Sequence, residues 1–174
     1  MLLLPATLRA QDARRAESPR PSATATRAQQ RDSLVNLARR QLGRRYIFGG
    51  TTPDGFDCSG FTRYLMRAMG YDVPHSAAQQ AQVGREIPRD PSLLRPGDLL
   101  TFGRNGRVTH VGMYIGNGRF IHASTGRGQI VEANLDRQPN RLIRAWYGVR
   151  RLLADDDSAV AVASRSGLVR PQQR

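Results

Sequence analysis

A chain of 174 residues with 39% hydrophobic residues is long enough to bury one core and too apolar to be unstructured throughout. Its formal net charge is +13, and arginine supplies all of the positive charge because the chain has no lysine. A single cysteine excludes an internal disulfide and any CxxC metal or redox motif, and no apolar run approaches the roughly 20 residues of a transmembrane segment. Such a charge suits polyanionic surroundings: nucleic acid, acidic membrane or an anionic cell wall. The arginines are scattered, however, and no run of interleaved basic and aromatic residues marks a specific nucleic-acid binder.

Residues 1–31 read as a leader. Met1 to Leu8 is apolar and the following stretch is rich in Arg, Ala, Ser, Thr and Pro, as expected of an export signal truncated at its N-terminus. A domain is expected over residues 32–153, and residues 154–174, opening on Ala154 and the run Asp155-Asp156-Asp157, read as a disordered tail.

Asp32 or Ser33 can cap a first helix carrying Leu34, Leu37 and Ala38 at helical spacing and ending at Gly43. A second helix is expected from Cys58 or Ser59, with Phe61, Tyr64, Leu65, Ala68 and Met69 as its buried stripe and Gly70 as its stop. Residues 76–83 form a shorter helical candidate. From Asp98 the period changes, and 99–102, 108–115, 119–123, 129–132 and 142–149 read as strands. Helices followed by an antiparallel sheet predict an α+β fold.

Cys58 is the only thiol and sits where a loop turns into a helix. The unpaired N–H groups of a helix N-terminus favour a thiolate and can also hold an oxyanion. Such a nucleophile needs an imidazole to take its proton and a third group to orient that imidazole. His110 opens the strand Val111-Gly112-Met113-Tyr114-Ile115, His122 lies on the next strand, and His75 reads as a loop residue. The two strand histidines can meet only if the register is right. A two-residue Asn117-Gly118 turn would oppose His122 to Met113, whereas a three-residue loop with Gly118 left-handed opposes it to Gly112 and makes His110 its diagonal neighbour. The second arrangement is the one expected. The histidines do not have zinc-ligand spacing, and no fourth ligand is evident.

Three segments together, Tyr46-Ile47-Phe48-Gly49-Gly50, Asp57-Cys58-Ser59-Gly60-Phe61 and His110-Val111-Gly112-Met113-Tyr114-Ile115-Gly116, resemble the NlpC family of bacterial cell-wall cysteine peptidases. The resemblance continues through Arg95-Pro96-Gly97-Asp98-Leu99 and Ile121-His122-Ala123-Ser124, over about residues 32–150. It implies a papain-like fold, with Cys58 as nucleophile, His110 as general base and His122 as the residue that orients it. By the same resemblance Tyr46 lies beside the thiol, and Asp57 and Ser59 help hold substrate. The implied activity is hydrolysis of an amide bond in the stem peptides of peptidoglycan through a thioester, D-isoglutamyl to diaminopimelate before the D-alanyl cross-link. No metal or cofactor is implied, and action by a monomer outside the cytoplasm, in the periplasm or wall, is expected. A non-catalytic wall binder on the same fold is the alternative. In one departure, His75-Ser76 stands where relatives often have Arg before Ser, which bears on substrate preference.

Overall fold

A computed structural model describes residues 26–135 and 141–154. Helix α1 spans Arg27–Arg39. It starts earlier than expected because Thr26, not Asp32 or Ser33, is the cap. Thr26 Oγ1 accepts the Gln29 N–H at 3.2 Å while Gln29 Oε1 accepts the Thr26 N–H at 2.8 Å, a reciprocal capping box. Leu34, Val35 and Ala38 form its buried face. The leader expected over residues 1–31 lies, for residues 1–25, outside the described residues, as does the tail from Asp155 onward.

A small hairpin follows, β1 (Thr51–Thr52) against β2 (Gly55–Phe56), and leads into helix α2 (Cys58–Ala68). The buried face of α2 is turned somewhat from the expected stripe. Phe61, Leu65 and Met66 are buried, Tyr64 and Met69 are half-buried, and Ala68 is exposed. Gly70, at φ +83°, ends it, with the Tyr71 N–H donating to Met66 O and the Gly70 N–H to Arg67 O at 3.0 Å each. Within 76–83 only α3 (Ala77–Gln80) is helical. Its Gln80 side chain is fully buried and donates to Ser59 O at 2.9 Å and Pro74 O at 2.7 Å, while its Oε1 accepts from the Thr62 hydroxyl at 2.6 Å. One amide thus fixes the start of α2 against the loop before α3.

The remaining strands form one antiparallel sheet: β3 (Arg85–Ile87), β4 (Leu99–Arg104), β5 (Arg107–Gly116), β6 (Arg119–Ser124), β7 (Gln129–Asn134) and β8 (Trp146–Arg151), in the order β3-β8-β4-β5-β6-β7. The strand expected over 142–149 begins only at Trp146, because Ile143–Ala145 turn as a 3-10 helix whose Leu142 and Ile143 pack onto the sheet. Alternation along the strands sorts side chains into two cores. Leu99, Val111, Met113, Ile121, Ala123 and Ile130 face the helices, with Leu34, Phe61 and Leu65. Leu100, Phe102, Tyr114, Phe120 and Val149 face the other way, beneath Leu94, Leu135 and the 3-10 segment. Helices on an antiparallel sheet, the α+β expectation, are observed. No helix among the described residues is long and apolar enough to cross a membrane.

Candidate active site

The first turn of α2 is organised by Asp57. Its Oδ1 caps the helix by accepting the Gly60 N–H at 2.6 Å, and its Oδ2 accepts the Gly49 N–H at 2.9 Å. The Ser59 hydroxyl donates to Oδ1 at 3.2 Å, and His75 Nε2 lies 3.1 and 3.0 Å from the two oxygens. Both Asp57 and Ser59 are buried. In the structure both side chains bond to the chain itself and order the first turn of α2. The glycine between helix and loop is obligatory: a Cβ on Gly60 would lie 2.0 Å from the Gly50 carbonyl oxygen.

Cys58 is a free, half-buried thiol on the first residue of α2. Burial pushes its pKa up, and the negative Asp57 adds to this. The backbone amides of Val111, Ser59 and Cys58 itself act in the opposite sense but do not prevail. The helix terminus favours the thiolate, and burial opposes it. The Val111 amide has a second meaning, since it brings β5 to the sulfur at the residue next to His110.

His110 and His122 meet as expected. His110 Nε2 lies 2.9 Å from His122 Nδ1, with the rings nearly perpendicular at 88°. Register explains the meeting. Met113 pairs with Ile121 and Tyr114 with Phe120, which sets Gly112 opposite His122, and a Cβ on Gly112 would lie 3.0 Å from His122 Cβ. The expected three-residue loop is not the cause. Gly116 pairs with Arg119 around a two-residue turn, Asn117 at φ 52° and Gly118 at φ 68°, and the shift comes from a bulge at Ile115. Asn-Gly thus makes its usual tight turn, and one extra residue in β5 restores the parity that the histidines need.

With Nε2 of His110 on His122 Nδ1, the other nitrogen of the His110 ring is Nδ1, and which of the two rings donates in the contact is set by their tautomers. Burial lowers the His110 pKa to about 4 and that of His122 to about 3, the latter also through its neighbour His110. Both rings are neutral near pH 7, and a neutral imidazole is what a general base must be. Tyr46 is held by its N–H on Gly128 O at 2.8 Å. It lines one cleft of about 920 Å³ with Cys58, His110 and His122. Its hydroxyl pKa is raised by burial, then by Cys58 and Asp57.

A family model described as the NlpC/P60 family matches residues 43–146, more than half of the chain. The chain belongs to the NlpC/P60 family. Among curated relatives of this family, a murein DD-endopeptidase MepS/murein LD-carboxypeptidase of Escherichia coli is 44% identical over 92 residues, covering 52% of this chain and 48% of that protein. A gamma-D-glutamyl-L-lysine dipeptidyl-peptidase of Bacillus cereus is 37% identical over 125 residues, 70% of this chain and 36% of the relative. The chain spans about half the length of the first curated relatives it matches. In three dimensions an NlpC/P60 family protein from Bacillus cereus superposes with a TM-score of 0.66 at 35% identity, covering 71% of this chain and 40% of that one. The NlpC/p60 domain of the peptidoglycan hydrolase SagA gives 0.60 at 30%, covering 70% and 98%.

Against the NlpC/P60 pattern, the position of His75 has a structural reading. Its ring is turned onto Asp57 beneath the nucleophile, not onto a substrate carboxylate as an Arg there could be. Sequence reasoning missed three other residues of the cleft, Arg104, Arg107 and Arg141. Arg104 and Arg107 flank an Asn-Gly dipeptide between two strands, a signal that could have placed them at a hairpin tip. Nothing in the sequence links Arg141 to them.

Proposed function

We propose that this chain is a peptidoglycan hydrolase of the cysteine-peptidase type, cutting an amide bond in murein stem peptides outside the cytoplasm. The observation that carries the reading is the shared cleft, lined by a half-buried thiol on a helix N-terminus and by His110, whose ring is in hydrogen-bond contact with His122. His110 takes the Cys58 proton as the sulfur attacks a stem-peptide carbonyl. The oxyanion falls to the free N–H groups at the start of α2. His110 then returns the proton to the leaving amine, and water, deprotonated by the same ring, releases the acyl group from the thioester.

The bond we favour is D-isoglutamyl to diaminopimelate, in keeping with the Bacillus relative named for a gamma-D-glutamyl linkage. The relative named a murein DD-endopeptidase supports a second reading, the D-alanyl cross-link. Digestion of purified peptidoglycan with the wild type and Cys58→Ala, with fragments identified by mass, decides. Dipeptide-terminated stems support the first bond and uncrosslinked intact stems the second. Equal digestion by Cys58→Ala would end the cysteine-peptidase reading, and binding without digestion by the wild type would favour the wall binder.

A further inference from the structure

Strands β4 and β5 are joined by a two-residue turn, Asn105 at φ 50° and Gly106 at φ 74°, so that Arg104 and Arg107 are paired residues directly across the ladder. Like charges opposed in this way destabilise a hairpin. Both side chains are exposed and line the cleft that holds Cys58, and Arg141 reaches the same cleft from the segment before β8. Some other arginines are paired: Arg67 with Asp72, Arg119 with Glu132, Arg150 with Glu86 and Arg151 with Asp98. Among the described residues, Arg104, Arg107 and Arg141 have no acidic partner, and no Asp or Glu lines the cleft. With the histidines neutral and the thiol protonated, these guanidinium groups are the charges that the cleft presents.

We propose that Arg104, Arg107 and Arg141 form a carboxylate-binding subsite, through which the enzyme selects peptide strands with a free carboxylate beside the scissile bond over amidated ones. The inference rests on the peptidase reading. Guanidinium forks match carboxylate geometry, three of them line this cleft, and an incoming carboxylate relieves the repulsion between Arg104 and Arg107. Wall phosphodiesters are also anionic, but a positive charge meant for a long polymer has no reason to gather beside the nucleophile.

The test uses stem peptides that differ only in carboxylate against carboxamide, in two arms: on the acyl-side residue, and on the residue whose amine leaves. A charge-assisted contact predicts a preference of about 10-fold or more in kcat/KM for the carboxylate in one arm. That preference should collapse toward unity in Arg104→Gln/Arg107→Gln and in Arg141→Gln, be largely kept in Arg104→Lys/Arg107→Lys, and persist in Arg39→Gln, an exposed arginine of α1 outside the cleft. Binding of both peptide forms to Cys58→Ala supplies a readout that needs no turnover. Equal affinity for carboxylate and carboxamide overturns the subsite, as does an equal loss of preference in Arg39→Gln. Loss of binding to phosphate-rich wall polymer by the Gln pair, without a carboxylate preference in the wild type, would reassign the arginines and also overturn it. Failure of the wild type to cut any stem peptide strikes the peptidase reading instead.

Discussion

Transferring a proton from Cys58 to His110 at rest would set a thiolate against burial and the Asp57 carboxylate, and an imidazolium against burial alone. Both shifts favour a resting pair of thiol and neutral imidazole, and in the proposed mechanism the proton moves as the carbonyl is attacked. The pH dependence follows. His110 loses its function as a base only when protonated, so the acid limb of kcat/KM should fall near pH 4, well below the 6.5 of an ordinary histidine. A limb near 6.5 would show that the ring is more exposed to solvent than the structure has it. The same shifts act on stability. Between about pH 4 and 6.5 the unfolded chain binds protons on these two histidines that the folded one refuses, so stability should fall as the pH drops through that window. Thermal melts of His110→Ala and His122→Ala should show a shallower decline there than the wild type. In turnover, Cys58→Ala and His110→Ala should each cost several orders of magnitude with the fold intact. His122→Ala should cost less, because water can take its place on His110 Nε2.

Strand parity decides whether those residues meet at all. Deleting Ile115 removes the bulge while leaving the Asn117-Gly118 turn and the pairs Tyr114–Phe120 and Gly116–Arg119, so His110 and His122 should stay on one face of the sheet. We expect a folded protein that keeps its hydrolysis, with the circular dichroism spectrum as the fold check, and loss of activity with the fold intact would show that the bulge does more than set the register. Gly118→Val strains the same turn at φ 68°, whose N–H also donates to the Tyr114 hydroxyl at 3.0 Å, and should lower both activity and melting temperature. How legible these elements were varies with the signal each sent. The catalytic helix and the long strands were readable because capping residues, glycines and alternation agree over six or more residues. The bulge was not, because it depends on a count of pairs across two strands, and Asn-Gly reports only the turn. Strands β1, β2 and β3 hold two or three residues each, too few to show a period. Helix α1 hid its start because its apolar spacing begins only at Leu34, although the Thr26 and Gln29 pair was there to be read.

Across the whole molecule, the reacting groups are rooted in different cores. Cys58 packs on the helical side, whereas Phe102 and Phe120, ring neighbours of His110 and His122 at 5.9 and 5.3 Å, belong to the other. The sheet lies between the two sides, and a buried ion pair, Asp98–Arg151, ties the head of β4 to the end of β8. Arg151 Nε donates to Oδ1 and Nη2 to Oδ2, each at 2.7 Å, with Asp98 fully buried. Asp98→Ala strands a buried guanidinium and should cost about 3–5 kcal/mol in denaturant melts, while Asp98→Leu with Arg151→Met should regain much of that. The ends are joined as well. Arg31 of α1 donates to Pro96 O at 2.7 Å and to Ala154 O at 3.1 Å, so the smallest fragment that folds should extend from Thr26 to Ala154. The family's core motif was legible from sequence, but this closure was not, since it joins residues 123 positions apart. The solitary Cys58 sulfur, set in the cleft on an otherwise thiol-free chain, also makes the molecule its own stoichiometric label. One equivalent of alkylating reagent counts accessible sites, and the rate of its uptake, free of any background from other cysteines, reports how reactive the cleft holds that sulfur.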